Sequence, residues 1–289
     1  MPEFLTAEPQ TDGDATFRNF QRHNLRRAAD HFDVTVTAAP TFGWRLRSIS
    51  APVTGQHSPA WLRVVSEEPQ WARGEGWTGN ADANVITAVR KPTVLDVYEW
   101  PEHDWRNQRA ELMLLLPGTP AAAIDVPHSD PPLPETWWTD LSHGLRTLAE
   151  TPTDRVYANQ ARVTQRIRQR FGDTVETTVA SWTTAHADLH WANLMAPDLG
   201  IVDWELWGTA PAGLDAATLY SYSLLVPETA ERIHGLFADL LDTPTGRIAQ
   251  LYVAARLLRR IESSGDHPEL AEPLTTHAAR LLAAPTHGM

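Results

Sequence analysis

Apolar and polar residues alternate along the first third of the chain, then change to a helical spacing for most of the remainder. "FRNFQRHNLRRAADHF" (17–32) predicts a helix with a basic face. "VTVTAAP", "FGWRLRSISAPV" and "AWLRVVSEE" follow, alternating β-branched and polar positions with Gly and Pro between them, the pattern of successive strands. Residues 68–84 read as a loop and then a short helix, and "PTVLDVYEW" and "RAELMLLL" as two more strands. These elements predict an antiparallel sheet with one helix inserted, ending near Leu116. "PGTP" (117–120) breaks the pattern, and a Pro-rich connection runs on to "PPLPE". "TWWTDLSHGLRTLAE", a basic helix "RVTQRIRQRF" stopped by Gly172, "DAATLYSYSLL", "ETAERIHGLFADLL" and "GRIAQLYVAARLLRRIESS" then carry helical periodicity. No internal repeat is present. The expected fold class is therefore α+β: a small β-rich lobe over 1–116, with 1–15 flexible, and a larger helical lobe over 117–289. A cleft between two such lobes is a natural ligand site.

Composition narrows the class. At 42% hydrophobic and 21% charged residues, the 289-residue chain is expected to be globular. It has no cysteine, which excludes disulfides and thiolate metal sites. "MPEFLTAEPQTDGDA" has neither the basic nor the apolar region of a signal peptide, and no run of roughly 20 apolar residues suits a membrane span. A cytoplasmic protein with no membrane partner is expected. The net charge of −12 argues against a nucleic-acid partner; it suits a cationic small molecule, and equally plain solubility. Lysine occurs once, at Lys91, so chemistry that demands a lysine has a single candidate.

The stretch "HADLHWANLM" concentrates polar groups: His186, Asp188, His190 and Asn193. Pro197, Asp198 and Gly200 then signal a turn, and "IVDWE" a strand ending in Asp203. A hairpin here brings Asn193 and Asp203 together. An amide oxygen and a carboxylate suit Mg²⁺, which takes oxygen ligands and keeps waters or phosphate oxygens for the rest. Asp188, five residues before Asn193, is placed to orient an attacking hydroxyl and accept its proton. Phosphoryl transfer asks for little more than charge neutralisation and positioning.

H-x-D-x-x-x-x-N followed by D-x-E resembles the kinase catalytic pattern. "HADLHWANLM…GIVDWELW" is similar to its version in the aminoglycoside phosphotransferase and choline kinase family, which has the protein-kinase-like fold. The resemblance preserves element order over roughly 41–260. It implies an ATP- and Mg²⁺-dependent transfer of the γ-phosphate to a hydroxyl of a small molecule (aminoglycoside-like, amino sugar or amino alcohol). It implies Asp188 as the catalytic aspartate, Asn193 and Asp203 as Mg²⁺ ligands, His186 as a brace, and Glu205 in support. Backbone groups of Leu114, Leu115 and Leu116 would meet adenine, Asp215 would be structural, and the acceptor would lie against helices from 212 onward. Arg63 stands where the family places its phosphate-binding lysine, with Asp82, Glu75, Glu67 or Glu68 as its candidate acidic partner. Other departures are Gly43 alone in the loop over the nucleotide, Ala149 for a histidine, and Ala187 and Trp191 for the usual Gly and Pro.

Two other readings compete. His186, Asp188 and His190 are residue types that bind Zn²⁺ or Mn²⁺ in a hydrolase. Alternatively, the arginine at position 63 marks a catalytically inactive, kinase-like nucleotide-binding protein. For His190, packing and substrate contact are equally open.

Overall fold

Helix α1 (Asp12–His31) begins ahead of the expected Phe17, taking in part of the stretch expected to be flexible. Asp14 in its first turn complements the positive end of the helix dipole. The computed structural model describes residues 12–57, 59–87 and 89–283, so Met1–Thr11 of that stretch lie outside the described residues. The chain divides into two compact units, Met1–Asn84 with Pro92–Leu116, and Val85–Lys91 with Pro117–Met289.

In the first unit β1 (Thr35–Val36), β2 (Thr41–Phe42), β3 (Ser48–Thr54), β4 (Ala60–Glu67), β5 (Val94–Glu102) and β6 (Arg106–Leu114) form one antiparallel sheet. Its order is β1-β3-β4-β6-β5, with β2 also on β3. "VTVTAAP" supplies only the two residues of β1; beyond them both the amide and the hydroxyl of Thr37 donate to one carbonyl, that of Pro52 (3.0 and 3.1 Å), in place of a continuing ladder. Along β3 every second residue is buried, and Ile49, Ala51 and Val53 meet Leu25, Ala28 and Ala29 of α1 over Leu62, Val64, Ala110 and Leu112. Two buried amides tie the helix down: Gln21 Nε2 donates to Leu46 O (2.7 Å) and Asn24 Nδ2 to Gln108 Oε1 (3.2 Å). The short helix α2 (Glu75–Asp82) is inserted between β4 and β5.

In the second unit "PGTP" is more than a break. Thr119–Pro120 is strand β7, paired with β9 (Leu194–Ala196), which pairs in turn with β10 (Gly200–Ile201). Gly118 makes this possible: its φ is +112° and an added Cβ would lie 2.4 Å from Ala196 O. β8 (Trp182–Ala185) and β11 (Gly208–Pro211) form a second antiparallel pair. The helices are α3 (Glu135–Glu150), α4 (Gln160–Phe171), α5 (Leu214–Tyr222), α6 (Pro227–Leu241), α7 (Pro244–Ser264) and α8 (Ala271–Ala283). The apolar pattern of α7 runs nearly all round it, so it becomes the axis against which α4, α5, α6 and α8 pack. Trp137 and Trp138 of α3 bury their rings against Trp191, and Trp137 Nε1 donates to Met195 O (2.7 Å), which fixes β9 to α3. No helix among the described residues is long and apolar enough to cross a membrane.

The turn into α7 leaves no room for a side chain at Gly246. Thr243 caps the helix by accepting the Gly246 amide (2.9 Å), Pro244 occupies its first turn, and a Cβ on Gly246 would sit 2.0 Å from Leu240 O. Gly246→Ala should therefore lower stability by about 1–3 kcal/mol through forced backbone displacement. Urea unfolding measures this; an unchanged midpoint would mean that the α6–α7 turn yields without cost.

Candidate active site

β8 delivers the chain into the loop 186–193, where a carboxylate from α5 takes hold of it. Asp215 accepts the amide N–H of His186 at Oδ2 (2.7 Å) and that of Ala187 at Oδ1 (2.8 Å). Ala187 has φ +72°, a left-handed conformation costing an L-residue about 1–2 kcal/mol. Its carbonyl accepts from Arg256 Nη1 (2.8 Å), and the same guanidinium donates to the Tyr157 hydroxyl. The His186 ring is wholly buried, edge-on to Trp204, with Nε2 donating to Val202 O (3.0 Å). Burial holds its pKa down at about 4 and pushes Asp215 up to about 6, the latter against the pull of the two amides and Arg256.

This frame positions the polar side chains that follow. The Asp188 carbonyl receives both the His190 amide (3.0 Å) and Asn193 Nδ2 (3.0 Å). Its carboxylate, about a quarter exposed at 26%, stands 3.8 Å from Arg256 Nη2 and 3.8 Å from His190 Nε2, beyond hydrogen-bonding distance of either. His190 is nearly buried, and burial lowers its pKa despite Asp188 and Asp125. In its neutral form Nε2 accepts from Asn193 Nδ2 (3.1 Å), leaving the proton on Nδ1, which faces Asp125 Oδ1 at 3.3 Å without hydrogen-bond alignment.

Asp125 is a residue the sequence pattern did not single out. Although burial raises its pKa, a hydrogen bond from His267 Nε2 (3.0 Å), the two histidines and Arg260 together hold it below the ordinary value. Arg260 also reaches Asp266 (2.8 Å). Arg256 and Arg260 lie one turn apart on α7.

Asn193 and Asp203 stand at the two ends of the β9–β10 hairpin, whose pairing continues through Val202 N to Asn193 O (2.9 Å). Asn193 Nδ2 is engaged by two acceptors, so Oδ1 is its oxygen for a cation. Asp203 is exposed and has φ +65°, a conformation rare outside glycine and met at functional turns. Two oxygen ligands with the remaining positions open fit Mg²⁺. Glu205 is anchored through its carbonyl, which accepts from Arg155 Nη2 (3.2 Å). The hydrolase set does not form: His186 Nε2 is spent on Val202, and among the described residues no group of three His, Asp or Glu side chains converges on a metal position.

In the first unit Arg63 lies directly across from Glu111 in the β4–β6 register, with Nη1 3.6 Å from Oε2. Glu111 is buried, accepting from Arg109 Nε (2.9 Å) and from Asn80 Nδ2 of α2 (2.8 Å). Glu111 was not among the four acidic partners expected for Arg63. Glu67 engages Arg47 (2.8 Å), Asp82 accepts from the Thr78 hydroxyl (2.6 Å), Glu68 accepts from Gln70 (3.0 Å), and Glu75 begins α2. Of the three leucines expected at adenine, the Leu114 amide donates to Thr93 O (2.9 Å) and that of Leu115 to Pro59 O (3.2 Å). Lys91 belongs to the second unit, and burial lowers its pKa to about 8.

No protein-family model matches the sequence, and no curated protein does. Solved structures do match over nearly the whole chain. A thermostable mutant of the aminoglycoside phosphotransferase APH(4)-Ia is 13% identical, with a TM-score of 0.60 over 90% of this chain and 100% of that one. The amicoumacin kinase hAmiN, in complex with AMP-PNP, Ca²⁺ and Ami, is 13% identical, with a TM-score of 0.56 over 93% and 96%. The choline kinase LicA from Streptococcus pneumoniae is 12% identical, with a TM-score of 0.52 over 92% and 99%. The chain has the α+β fold of these small-molecule kinases; at such identities the likeness is one of fold.

The buried His186 gives the loop a pH signature. Its folded pKa lies below the ordinary 6.5, so the stability it contributes is full above pH 6.5 and is lost as pH falls through about 4. Asp215, pushed up, works in the opposite sense over nearly the same window, so a comparison with a variant isolates the histidine. The stability difference between wild type and His186→Asn should grow by about 1.4 kcal/mol per pH unit between pH 4 and 6.5. Urea unfolding at pH 4.5 and 6.5 tests this; a difference independent of pH would place a charged imidazole in the folded loop.

Proposed function

We propose that this chain is an ATP-dependent phosphotransferase that moves the γ-phosphate to a hydroxyl of a small molecule. The observation that carries the reading is the loop 186–193. It fixes Asp188 and Asn193 through one set of backbone bonds, at the start of a hairpin that ends in Asp203. A fold common to small-molecule kinases supports it, one of them in complex with a nucleotide analogue and a divalent cation.

Residues 1–116 are the proposed nucleotide-binding lobe and 117–289 the catalytic and acceptor-binding lobe of a cytoplasmic enzyme. Asn193 and Asp203 hold Mg²⁺, which when bound neutralises charge on the transferring phosphate. Asp188 accepts a hydrogen bond from the acceptor hydroxyl, aligns it for in-line attack and takes its proton as the new O–P bond forms and the bond from the γ-phosphorus to the bridging oxygen breaks, ADP leaving. Arg63, braced by Glu111, supplies a permanent cation for the nucleotide phosphates, backbone groups of Leu114, Leu115 and Leu116 meet adenine, and Glu205 supports the metal site. His186 braces the loop without reacting. His190, Asp125, Tyr222 and His267 lie together beside Asp188, where a hydroxyl-rich acceptor binds; the net charge of −12 suits a cationic one. Arg63 in place of lysine supports one other reading, a nucleotide-binding protein without transfer.

Calorimetry with ATP, with and without Mg²⁺, and transfer of labelled phosphate to a panel of hydroxylated acceptors separate these readings. Wild type should bind Mg-ATP, Asp203→Asn should weaken the Mg²⁺-dependent part, and Arg63→Ala should raise the ATP KM. Asp188→Ala should bind Mg-ATP as wild type does while transfer falls by about 10²–10⁴-fold. Full transfer by Asp188→Ala would sink the mechanism. Mg-ATP binding with no transfer to any acceptor would favour the inactive reading, and no ATP binding at all would remove both.

A further inference from the structure

Helix α4 places Arg162, Arg166 and Arg170 four residues apart, in a row along one side, while Val163 and Ile167 bury the side that packs on α7. Where the row meets α7, Arg166, Gln169 and Arg170 line a cavity of about 130 Å³ together with Ala255, Arg259 and Glu262. Glu262 is the one carboxylate in this lining, and it pairs with Arg170. Arg166 and Arg259 are left without an ion pair or hydrogen bond among the described residues, yet Arg166 is only partly exposed. Burial, and then the like charges of Arg259 and Arg162, work against its protonated form. A guanidinium stays charged through such pressure, so the cavity keeps two uncompensated positive charges.

A solvated row of arginines has no need of this arrangement. Exposed guanidiniums spread apart in water, whereas here two from different helices converge on one recess with an amide donor beside them and the small Ala255 opening space. The recess also runs against the charge of the whole, which is −12. At physiological ionic strength fields fall off within about 8 Å, so the local arginines decide what binds. Paired guanidinium forks match the oxygens of a phosphate dianion, donating to them in charge-assisted bonds. We infer that the α4–α7 recess is an anion site for a phosphate group, held by Arg166 and Arg259 with Gln169 and Arg170 at its edge, separate from the site built on Asp188. The inference stands whether or not the chain transfers phosphate.

Titration of the full chain with inorganic phosphate, followed by calorimetry, tests it on wild type, Arg166→Gln/Arg259→Gln and Asp203→Asn. Wild type and Asp203→Asn should bind phosphate alike, and the double variant should bind at least about tenfold more weakly, a loss of about 1.4 kcal/mol. Both arginines lie on the helix surface, so thermal unfolding of the double variant should match wild type and certify its fold. A parallel titration with methyl phosphate identifies the source: tighter binding than inorganic phosphate means a phosphate carried on a larger ligand, and equal or weaker binding means the free ion. Equal phosphate affinity in wild type and the double variant overturns the site. So does loss of binding in Asp203→Asn alone, and so does absence of binding to wild type up to about 10 mM.

Discussion

One buried carboxylate sets the geometry of the second unit. Asp215 accepts two consecutive amides, those of His186 and Ala187, and so pins the chain at the point where it takes a left-handed turn. Two amide donors aligned on one carboxylate are charge-assisted bonds, enough to outweigh the conformational cost at Ala187. Arg256 completes the hold from α7 by taking the carbonyl of the same residue. The two helices thereby fix a peptide rather than a side chain. The Asp188 carbonyl next to it then collects the His190 amide and the Asn193 side chain. Placement of the proposed base and the proposed metal ligand is thus one event, and it propagates through the Asn193 carbonyl into the hairpin that carries Asp203.

The first unit solves a related problem with a strand pair. Glu111 stands 3.6 Å from Arg63, the cation proposed for the nucleotide phosphates, close enough to orient it and beyond the range of a tight bidentate pair. Glu111 divides its charge among Arg63, Arg109 and Asn80. Only eight residues long, α2 contributes the Asn80 amide to Glu111. With several donors in a plane, arginine can face a partner on the adjacent strand and still present further N–H groups, which a single ammonium on a flexible stem cannot do so firmly.

Much of this was legible in the amino-acid order. The period-two pattern found the strands of the first unit, and Gly172 ended α4 where it was expected to. The hairpin joining Asn193 to Asp203 followed from a turn signal between two short apolar runs. What escaped was set by register and tertiary contact. Glu111 sits in a strand read as apolar, and only the alignment of β4 with β6 puts it opposite Arg63. β7 is two residues in a segment whose Pro and Gly argue for a break, and it exists because β9 offers it an edge. Asp125, in a Pro-rich connection, and His267, beyond α7, meet across 142 residues, a separation no local pattern reports. His186 is wholly buried with Nε2 spent on Val202 O, a burial that no local pattern announces.

Two carboxylates lie near the candidate reaction centre, and their surroundings differ in a way that bears on which could serve as the base. Asp125 is tied by the His267 hydrogen bond, faced by His190, and held below the ordinary carboxylate range. Its Oδ2 is engaged by His267 and its basicity is reduced. The Asp188 side chain has neighbours of the right charge on two sides, Arg256 and His190, but both at 3.8 Å, where attraction orients without forming a hydrogen bond. A carboxylate placed this way keeps its acceptor capacity for an incoming hydroxyl, and the low-dielectric surroundings strengthen the bond it then makes. His190 reinforces the distinction. Neutral, with its proton turned toward Asp125, it presents Nε2 as an acceptor to Asn193 and therefore offers Asp188 no proton. The same network that anchors Asp125 thus leaves the Asp188 carboxylate less engaged than its neighbour, which is the physical ground for proposing it, rather than Asp125, as the base.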